Sequence, residues 1–391
     1  MLIFANAPAK DVPNPKSPNV IYLTPSSPIP SSIPDGDILY FSPGVYDLGT
    51  TSYPLGSNQG LYIAGGAYLK GAVIGKNVQN SEIWGHGILS GENFHRNGAV
   101  APTLANSVAD GTPPMIYLSG SQTHNIIIGG ITCIQSPFYN FELGGSDNRI
   151  KDIKAIAWYG STDGVQVAYD SLVNGTVVPG HGVIEDSFFK TGDDAIKLFS
   201  SGLRVSRCVV WKLNNAAAFE FGANIQYDLS DIQVSDSDVI RTEYTVANKT
   251  NAIFGANFGG TGNLSGYQFN DIRIENAAWQ LFNLCVMPNS YTNGNLELGS
   301  ISNLSFNRIE VADNQTHPDL FQSYDRQHQI KNVSFNQVRV AGHLYPPTPY
   351  PASSDSVPRY TYNANRLMSL AGTMISDRSG DKEKVITSRF G

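Results

Sequence analysis

The segment Asn148–Trp158, with the sequence NRIKDIKAIAW, shows the pattern that decides the fold of this chain. Apolar and polar residues alternate in two short runs, which the polar residues Lys151 and Asp152 separate. Alternation with a period of two predicts β-strands, and the polar break predicts a turn between them. The segment therefore predicts two short strands joined at a polar pivot.

The same sequence pattern, two alternating runs separated by a polar break, recurs along the chain. Its other copies read HNIIIGGITCI, HGVIEDSFF, LRVSRCVVW, YDLSDIQVSD, YQFNDIRIEN, LSFNRIEVAD and VSFNQVRVAG. We place the pivots near Gly129, Lys151, Glu185, Ser206, Ser230, Asn270, Asn307 and Asn336, with separations from 21 to 40 residues. A constant β core with variable spacing is typical of a solenoid in which loops of different length leave a fixed coil.

The predicted fold class is all-β, a right-handed parallel β-helix. A β-propeller would require a regular repeat of about 40 residues or more, which steps of 21 and 24 residues contradict. A β-sandwich is the other competing architecture. No helical stripe of useful length occurs between the β segments, which disfavours a βαβ sheet.

Three segments are predicted. Residues 1–35 form an extended Pro- and Ser-rich lead-in, residues 36–345 the β-helix catalytic domain, and residues 346–391 a C-terminal tail or cap. No apolar stretch is long enough for a transmembrane helix, and the N-terminus lacks the basic region of a signal peptide. Cys133, Cys208 and Cys285 lie in apolar runs, so we expect buried free thiols.

The charge balance narrows the choice of partners. The net charge is −7, the pI is near 5.5, and no run of Lys or Arg occurs. Nucleic acid and acidic membrane surfaces are therefore disfavoured as partners, and an acidic polysaccharide is disfavoured as a substrate. We expect a monomer that needs no metal and no other cofactor.

Three acids carry the predicted chemistry. Asp163 lies in Ser-Thr-Asp-Gly, and Asp193 and Asp194 lie in Thr-Gly-Asp-Asp, 30 residues later. In a β-helix this distance fits one coil with a long loop, so Asp163 is expected one coil away from the pair. Gly192 would permit the turn or bulge that directs both acids of the pair to one side. Crowded carboxylates raise one another's pKa, and Lys197 could keep one of them ionised.

Each of these features also has an ordinary structural explanation. Asp-Gly and Gly-Asp-Asp are common turn sequences. Trp158, Tyr159 and Trp211 could stack on sugar rings or simply pack. Glu220, about one coil after the pair, could line the same cleft or be solvated, and His181 in Gly-His-Gly is more typical of a turn than of a catalytic imidazole.

The chain resembles the β-helix domain of glycoside hydrolase family 49, the dextranases and isopullulanases. The resemblance rests on Trp158-Tyr159 followed by Thr162–Gly164, on Asp193–Lys197 and on Val209–Lys212. It extends upstream to MLIFAN, YFSPGVY, LYIAGGAYLKGA and GHGILSGENF. It implies a parallel β-helix, extracellular location and inverting hydrolysis of α-glucan, most often α-1,6-linked dextran.

The resemblance also implies roles for the acids. Asp193 would be the general acid, and Asp163 and Asp194 would activate the attacking water. The segment between Asp163 and the pair is longer than the family pattern, with the excess in residues 170–181. The family's N-terminal β-sandwich domain is absent and residues after Pro346 do not match, so we expect a truncated form of the family's architecture.

Two alternatives remain open at this point. A polygalacturonase-like pectin hydrolase has its aspartates before Gly-His-Gly and Arg-Ile-Lys, whereas here both elements precede the Asp193-Asp194 pair. A non-catalytic carbohydrate-binding β-helix, such as an adhesin, would use the same surface without cleaving a bond.

Overall fold

Three parallel β-sheets wind along the chain in this computed structural model. It describes residues 2–6, 8–95, 107–108, 111–173, 176–244, 251–292, 297–313, 317, 319–345, 359–362, 372–375 and 384–387 of the 391. Within these residues there is no helix, and so no apolar helix of bilayer-spanning length. Each coil contributes one short strand to each sheet, and equivalent strands of successive coils pair in parallel.

The strands are grouped here by sheet. The first sheet contains β1 (Val20–Leu23), β2 (Ile38–Phe41), β4 (Gly60–Ile63), β6 (Glu82–Gly85), β9 (Ile127–Gly129), β12 (Arg149–Lys151), β17 (Val183–Glu185), β20 (Arg204–Ser206) and β29 (Ile330–Asn336), together with the first halves of β23 (Ile232–Thr242), β25 (Leu264–Ile274) and β27 (Ile301–Val311). The second sheet contains β3 (Gly44–Pro54), β5 (Ala67–Lys76), β7 (Ile88–Ser90), β10 (Thr132–Ile134), β13 (Lys154–Ile156), β18 (Phe188–Thr191), β21 (Val209–Lys212), the second halves of β23, β25 and β27, and β30 (Arg339–Val340).

The third sheet forms the floor of the site described below. It contains the last residues of β3 and β5, then β8 (Ile116–Ser119), β11 (Phe141–Leu143), β14 (Val165–Val167), β19 (Ile196–Lys197), β22 (Ala217–Glu220), β24 (Ala252–Phe258), β26 (Phe282–Val286) and β28 (Asp319–Gln322). The predicted parallel β-helix is confirmed.

Four antiparallel pairings among the described residues lie outside this pattern. Strands β15 (Ser171–Val173) and β16 (Thr176–Val178) form a hairpin, and β31 (His343–Leu344) pairs with β30. Strand β32 (Arg359–Tyr362) pairs with β28, and β33 (Gly372–Ile375) pairs with β34 (Lys384–Thr387). The rest of the predicted C-terminal tail lies outside the described residues. Strand β1 already pairs with β2, so the stack of strands begins within the segment 1–35.

The repeated sequence pattern places one apolar residue of each coil in the core. The residue immediately before each pivot is apolar, points inward and stacks on its equivalent in the next coil. This column is Ile128, Ile150, Ile184, Val205, Val234, Phe269, Phe306 and Phe335. Burying each such side chain contributes about 1.5–3 kcal/mol, so the column fixes the register of the first sheet.

One predicted pivot was wrong. Ser235, not Ser230, pairs with Ser206 on one side and with Asn270 on the other. The reason is the core column: Val234 precedes Ser235 and stacks on the buried Val205. The predicted steps of 24 and 40 residues at this point therefore become 29 and 35.

The corner between the first and second sheets uses a left-handed residue in each of the eight coils that contain the repeated pattern. The residue after each pivot has a positive φ. These residues are Gly130, Asp152, Asp186, Arg207, Asp236, Asp271, Arg308 and Gln337, with φ between 45° and 76°. Such φ values are uncommon for residues other than glycine, so the stacking of the coils imposes the conformation even on arginine and glutamine.

Candidate active site

The three acids lie in two stacked turns between the second and third sheets. Asp163 precedes β14, and Asp193 and Asp194 precede β19 on the next coil. The amide of Gly164 donates a 2.8 Å hydrogen bond to the carbonyl of Asp194, which joins the two turns directly. The structure thus places Asp163 one coil from the pair, although 30 residues separate them along the chain.

Two glycines allow this close stacking. A Cβ atom on Gly192 would lie 1.8 Å from the carbonyl oxygen of Tyr159, and one on Gly164 would lie 2.2 Å from that of Ala195. Contacts this short with backbone atoms mean that a side chain at either position would force the backbone to move. The sequence predicted that Gly192 permits a turn or bulge at the pair, and the structure adds that its missing side chain allows the close approach of the previous coil.

The carboxylates converge. One oxygen from each of Asp163, Asp193 and Asp194 lies within 4.8 Å of the other two. Asp163 is buried, and the two acids of the pair are half-buried. The Nζ atom of Lys197 lies 2.5 Å from Oδ2 of Asp163 and 3.9 Å from the centre of the Tyr139 ring. Three negative groups and one positive group thus share a small volume.

Hydrogen bonds hold the pair in place. Oδ2 of Asp193 accepts hydrogen bonds from the amide of Ser161 at 3.0 Å and from Nδ2 of Asn215 at 2.6 Å. Oδ1 of Asp193 accepts one from the amide of Asp194 at 3.0 Å. Oδ1 of Asp194 accepts one from the amide of Ala217, also at 3.0 Å. Each acid therefore has a fixed orientation toward the cleft.

Burial changes the protonation of this cluster. It raises the pKa of Asp194 to about 6, and the charge of Asp193 adds to the rise. Burial also raises the pKa of Asp163, and the two neighbouring acids reinforce this shift against the opposing charge of Lys197. For Lys197, burial acts to lower the pKa, but Asp163, Tyr139, Glu142 and Asp194 together outweigh this effect and the pKa is raised. Groups with a pKa near 6 can exchange protons at neutral pH, as general acid–base catalysis requires.

The acids face a cleft of about 690 Å³. Its described lining residues include all three acids, Lys197 and Glu220, which were predicted, and also Tyr139, Glu142, Gln166, Tyr169, Asn215, Tyr227, Asn257 and Tyr291, which were not. Among them Lys197 is the only lysine or arginine. The cleft is acidic and amide-rich, with aromatic side walls.

Outward side chains of the third sheet form the floor of the cleft. The register aligns Tyr117, Glu142 and Gln166 on successive coils, and Lys197 pairs with Glu220 on the next two. Glu220 is buried rather than solvated, and burial together with Asp194 raises its pKa. A polar residue between two apolar ones, as in Phe141-Glu142-Leu143, was the only signal in the sequence for this column.

The predicted aromatic residues lie elsewhere. Trp158 and Tyr159 are 49% and 50% exposed, and Trp158 lines a separate depression beside Arg241 and Glu243. Trp211 lies on the outer side of the second sheet. The Nζ atom of Lys190 lies 4.2 Å from the centre of the Trp211 ring. Nε1 of Trp211 donates a hydrogen bond to Oε1 of Glu243. The structure does not place these three rings among the residues that line the cleft.

The enlarged loop contains the β15–β16 hairpin. Asp170 fixes its base, because Oδ1 accepts hydrogen bonds from the amides of Gly180 at 2.9 Å and Ser201 at 2.7 Å. Tyr169, just before the hairpin, lines the cleft. His181 is exposed and lies 3.7 Å from Asp147, away from the cleft lining, so it takes no part in the acid cluster.

The acid trio could also be considered as a metal site, since each residue offers an oxygen at suitable spacing. One oxygen of Asp163 is already engaged by Lys197. That ammonium group supplies a positive charge beside the three acids.

Comparison with known proteins confirms the resemblance to the dextranases and isopullulanases. The chain is 33% identical over 240 residues to a dextranase from Talaromyces minioluteus, covering 55% of this chain and 37% of that protein. It is 29% identical over 274 residues to an isopullulanase from Aspergillus niger, covering 66% of this chain and 46% of that protein. The chain thus spans less than half the length of these relatives. No family model matches it.

Solved structures support the fold. Dex49A from Penicillium minioluteum superposes with a TM-score of 0.64 at 23% identity, covering 84% of this chain and 59% of that one. A polygalacturonase from Erwinia carotovora ssp. carotovora superposes with a TM-score of 0.52 at 14% identity, covering 88% of this chain and 99% of that one. At these identities the superpositions show a shared parallel β-helix and nothing finer.

Proposed function

We propose that this chain is a glycoside hydrolase of α-glucan, with the α-1,6 links of dextran as the preferred substrate. The observation that carries the proposal is the convergence of Asp163, Asp193 and Asp194 in a cleft of about 690 Å³. The similarity to proteins named dextranase and isopullulanase supports the substrate class.

In the proposed reaction, Asp193 protonates the glycosidic oxygen as the bond from that oxygen to the anomeric carbon breaks. A water molecule attacks the anomeric carbon from the opposite face, and its proton passes to Asp163 or Asp194. Lys197 holds Asp163 in position through their ion pair. The resemblance to family 49 supports this division of roles.

The spacing of the carboxyl groups bears on the stereochemistry of the proposed reaction. Inverting enzymes usually separate their carboxyl groups by roughly 6.5–9.5 Å and retaining enzymes by about 5–5.5 Å. Here the nearest oxygens lie within 4.8 Å, which is closer to the second range. Support for inversion therefore comes from the family resemblance alone. NMR of the first-formed product decides it: retention of the anomeric configuration would contradict inversion.

Replacing Asp193 with Asn tests the catalytic assignment. We expect kcat on dextran to fall by about 10²–10⁴-fold, while the Kd for an isomalto-oligosaccharide stays within about threefold. Asp186→Asn is the matched control, because Asp186 lies at the first corner and pairs with Arg207. Wild-type protein that released no reducing sugar from dextran, pullulan or other α-glucans would refute the assignment. Binding without any such release would identify a carbohydrate-binding β-helix.

A pectin-type hydrolase is the second candidate, because a polygalacturonase shares the fold. The charge of the cleft disfavours it: two glutamates join the three aspartates, and Lys197, the single cation among the described lining residues, is paired with Asp163. A uronate polymer would meet like charges without a free cation to bind its carboxylates. Cleavage of polygalacturonate in preference to dextran would reverse this ranking.

Three further expectations belong to the proposal. Activity should survive EDTA, because no step of the proposed mechanism requires a metal. A rapid loss of dextran viscosity relative to reducing-sugar release would show endo cleavage. Recovery of a monomer from the culture medium would support the extracellular location and the oligomeric state.

A further inference from the structure

Buried polar atoms without partners cluster in the cleft. Eight buried side-chain nitrogen or oxygen atoms among the described residues have no hydrogen-bond partner, and five of them belong to residues that line the cleft. They are both carboxyl oxygens of Glu142, Nε2 of Gln166, Oε2 of Glu220 and Oδ1 of Asn257. Unpaired buried polar groups are rare in folded proteins because each costs free energy. Their concentration at one site indicates that a ligand completes their hydrogen bonds.

Glu142 is the lining residue with the most unpaired polar atoms, because both of its carboxyl oxygens lack a hydrogen-bond partner. It lies on β11 between the core residues Phe141 and Leu143, so its side chain points outward from the coil. The side chain is nevertheless only 1% exposed. Gln166 pairs with it on the next coil and is 3% exposed. Both side chains are thus held against the cleft floor, beneath the residues that line its walls.

The spacing relates this pair to the reacting bond. Gln166 belongs to the coil of Asp163, and Glu142 to the coil before it. Successive coils lie about 5 Å apart, so Glu142 is about two coils from the Asp193-Asp194 turn. Glu142 is therefore one coil, about 5 Å, from the coil of Asp163, and this spacing is close to the length of one sugar ring.

We propose that Glu142 and Gln166 bind hydroxyl groups of the sugar ring next to the scissile bond and select for a neutral sugar at that position. The amide of Gln166 offers two N–H donors and the carboxyl group of Glu142 offers acceptor oxygens. Adjacent hydroxyls of a neutral sugar can satisfy both. A uronate ring would place a second carboxyl group against that of Glu142. This inference rests on the proposed function and identifies residues that the sequence motifs did not include.

The test separates binding from folding by comparing two substitutions of the same residue. Glu142→Leu removes the polar group and keeps the volume, whereas Glu142→Gln retains a donor and an acceptor. We expect Glu142→Leu to raise KM for dextran by about 10- to 100-fold with a smaller change in kcat. It should fold at least as stably as wild type, because an unpaired buried carboxyl group is removed. Glu142→Gln should stay within about threefold of wild-type KM.

Glu82→Leu is the matched control. Glu82 is half-buried on the first sheet and is not among the residues that line the cleft. The Glu82→Leu substitution should leave KM for dextran unchanged. If Glu142→Leu also leaves KM within about threefold, or if KM and melting temperature fail together, the inference is wrong.

Failure of the proposed function is recognised separately. If wild type cleaves no α-glucan, wild type and Glu142→Leu are compared by equilibrium binding to dextran, pullulan, a neutral β-glucan and polygalacturonate. A loss of neutral-glycan binding in Glu142→Leu upholds the inference while the hydrolase proposal falls. Equal binding by the two proteins, preference for polygalacturonate, or no binding at all overturns it.

Discussion

Replacing Glu142 with Gln is expected to change how the stability of this protein depends on pH. Burial raises the pKa of Glu142 from 4.5 to about 7 in the folded protein, with Lys197 as the opposing charge. Tyr117, its neighbour on β8, is uncharged in this range. The unfolded chain exposes the carboxyl group and restores its ordinary pKa. The folded state therefore binds the Glu142 proton more tightly than the unfolded state does.

The direction and the size of this pH dependence of stability follow from proton linkage. Below the unfolded value the carboxyl group is protonated in both states and burial carries no charge penalty. Between about pH 4.5 and about pH 7 the unfolded chain loses this proton while the folded protein keeps it, so stability falls across this window and levels off above it. Each tenfold difference in proton affinity is worth about 1.4 kcal/mol, so a rise from 4.5 to about 7 corresponds to about 3 kcal/mol. Glutamine stays neutral and avoids this loss.

The measurement is the free energy of unfolding in urea for both proteins at about pH 4 and about pH 8. Wild type should lose stability toward the higher pH, since Asp163, Asp194 and Glu220 also have raised pKa values. The variant minus wild-type difference isolates Glu142, and should shift by about 3 kcal/mol in favour of the variant. Glu310→Gln, at an exposed position of β27, controls for the substitution itself.

A difference that stays constant between the two pH values would refute the reasoning. It would mean that the Glu142 carboxyl group is hydrated or paired in solution, and the inference that it awaits a sugar hydroxyl would lose its physical basis. A shift of opposite sign would mean that Lys197, not burial, dominates its surroundings.

Two further substitutions test how the acid-bearing turns are built. Gly192→Ala should destabilise the protein by about 1–3 kcal/mol, because its Cβ would lie 1.8 Å from the carbonyl oxygen of Tyr159. Gly160→Ala, whose Cβ would meet no atom within 4 Å, should leave the melting temperature unchanged, and equal melting temperatures for the two variants would be incompatible with this explanation. Lys197→Met should cost about 3–5 kcal/mol of unfolding free energy at neutral pH, because it leaves Asp163 buried without its cation. A cost below about 1 kcal/mol would show that the pair contributes little.

Much of the fold was predictable because its signal is local. Alternating apolar residues around a polar pivot specify two short strands and a corner, and residues such as Ile150 and Ile184 repeat that pattern in each coil. The error at Ser230 shows the limit. The residues around Ser230 show the same local pattern as the other pivots. The register is set instead by the buried contact between Val205 and Val234. The local pattern does not indicate the length of the loop that separates these two residues.

The residues of the candidate site likewise divide into those that the sequence indicated and those that it did not. Asp163, Asp193 and Asp194 carried turn sequences that marked them, and the loop length suggested their stacking. Glu142 and Gln166 carried no motif, since a single polar residue within a short apolar strand is usually solvated.

The strands and corners of each coil could therefore be predicted from the amino-acid sequence, because strand periodicity is a property of neighbouring residues. Only the tertiary structure decided which outward side chains meet in one cleft and which, like Trp211, lie on another sheet. Parallel stacking brings together residues 18 to 45 positions apart, and the register of that stacking depends on the packing of the core.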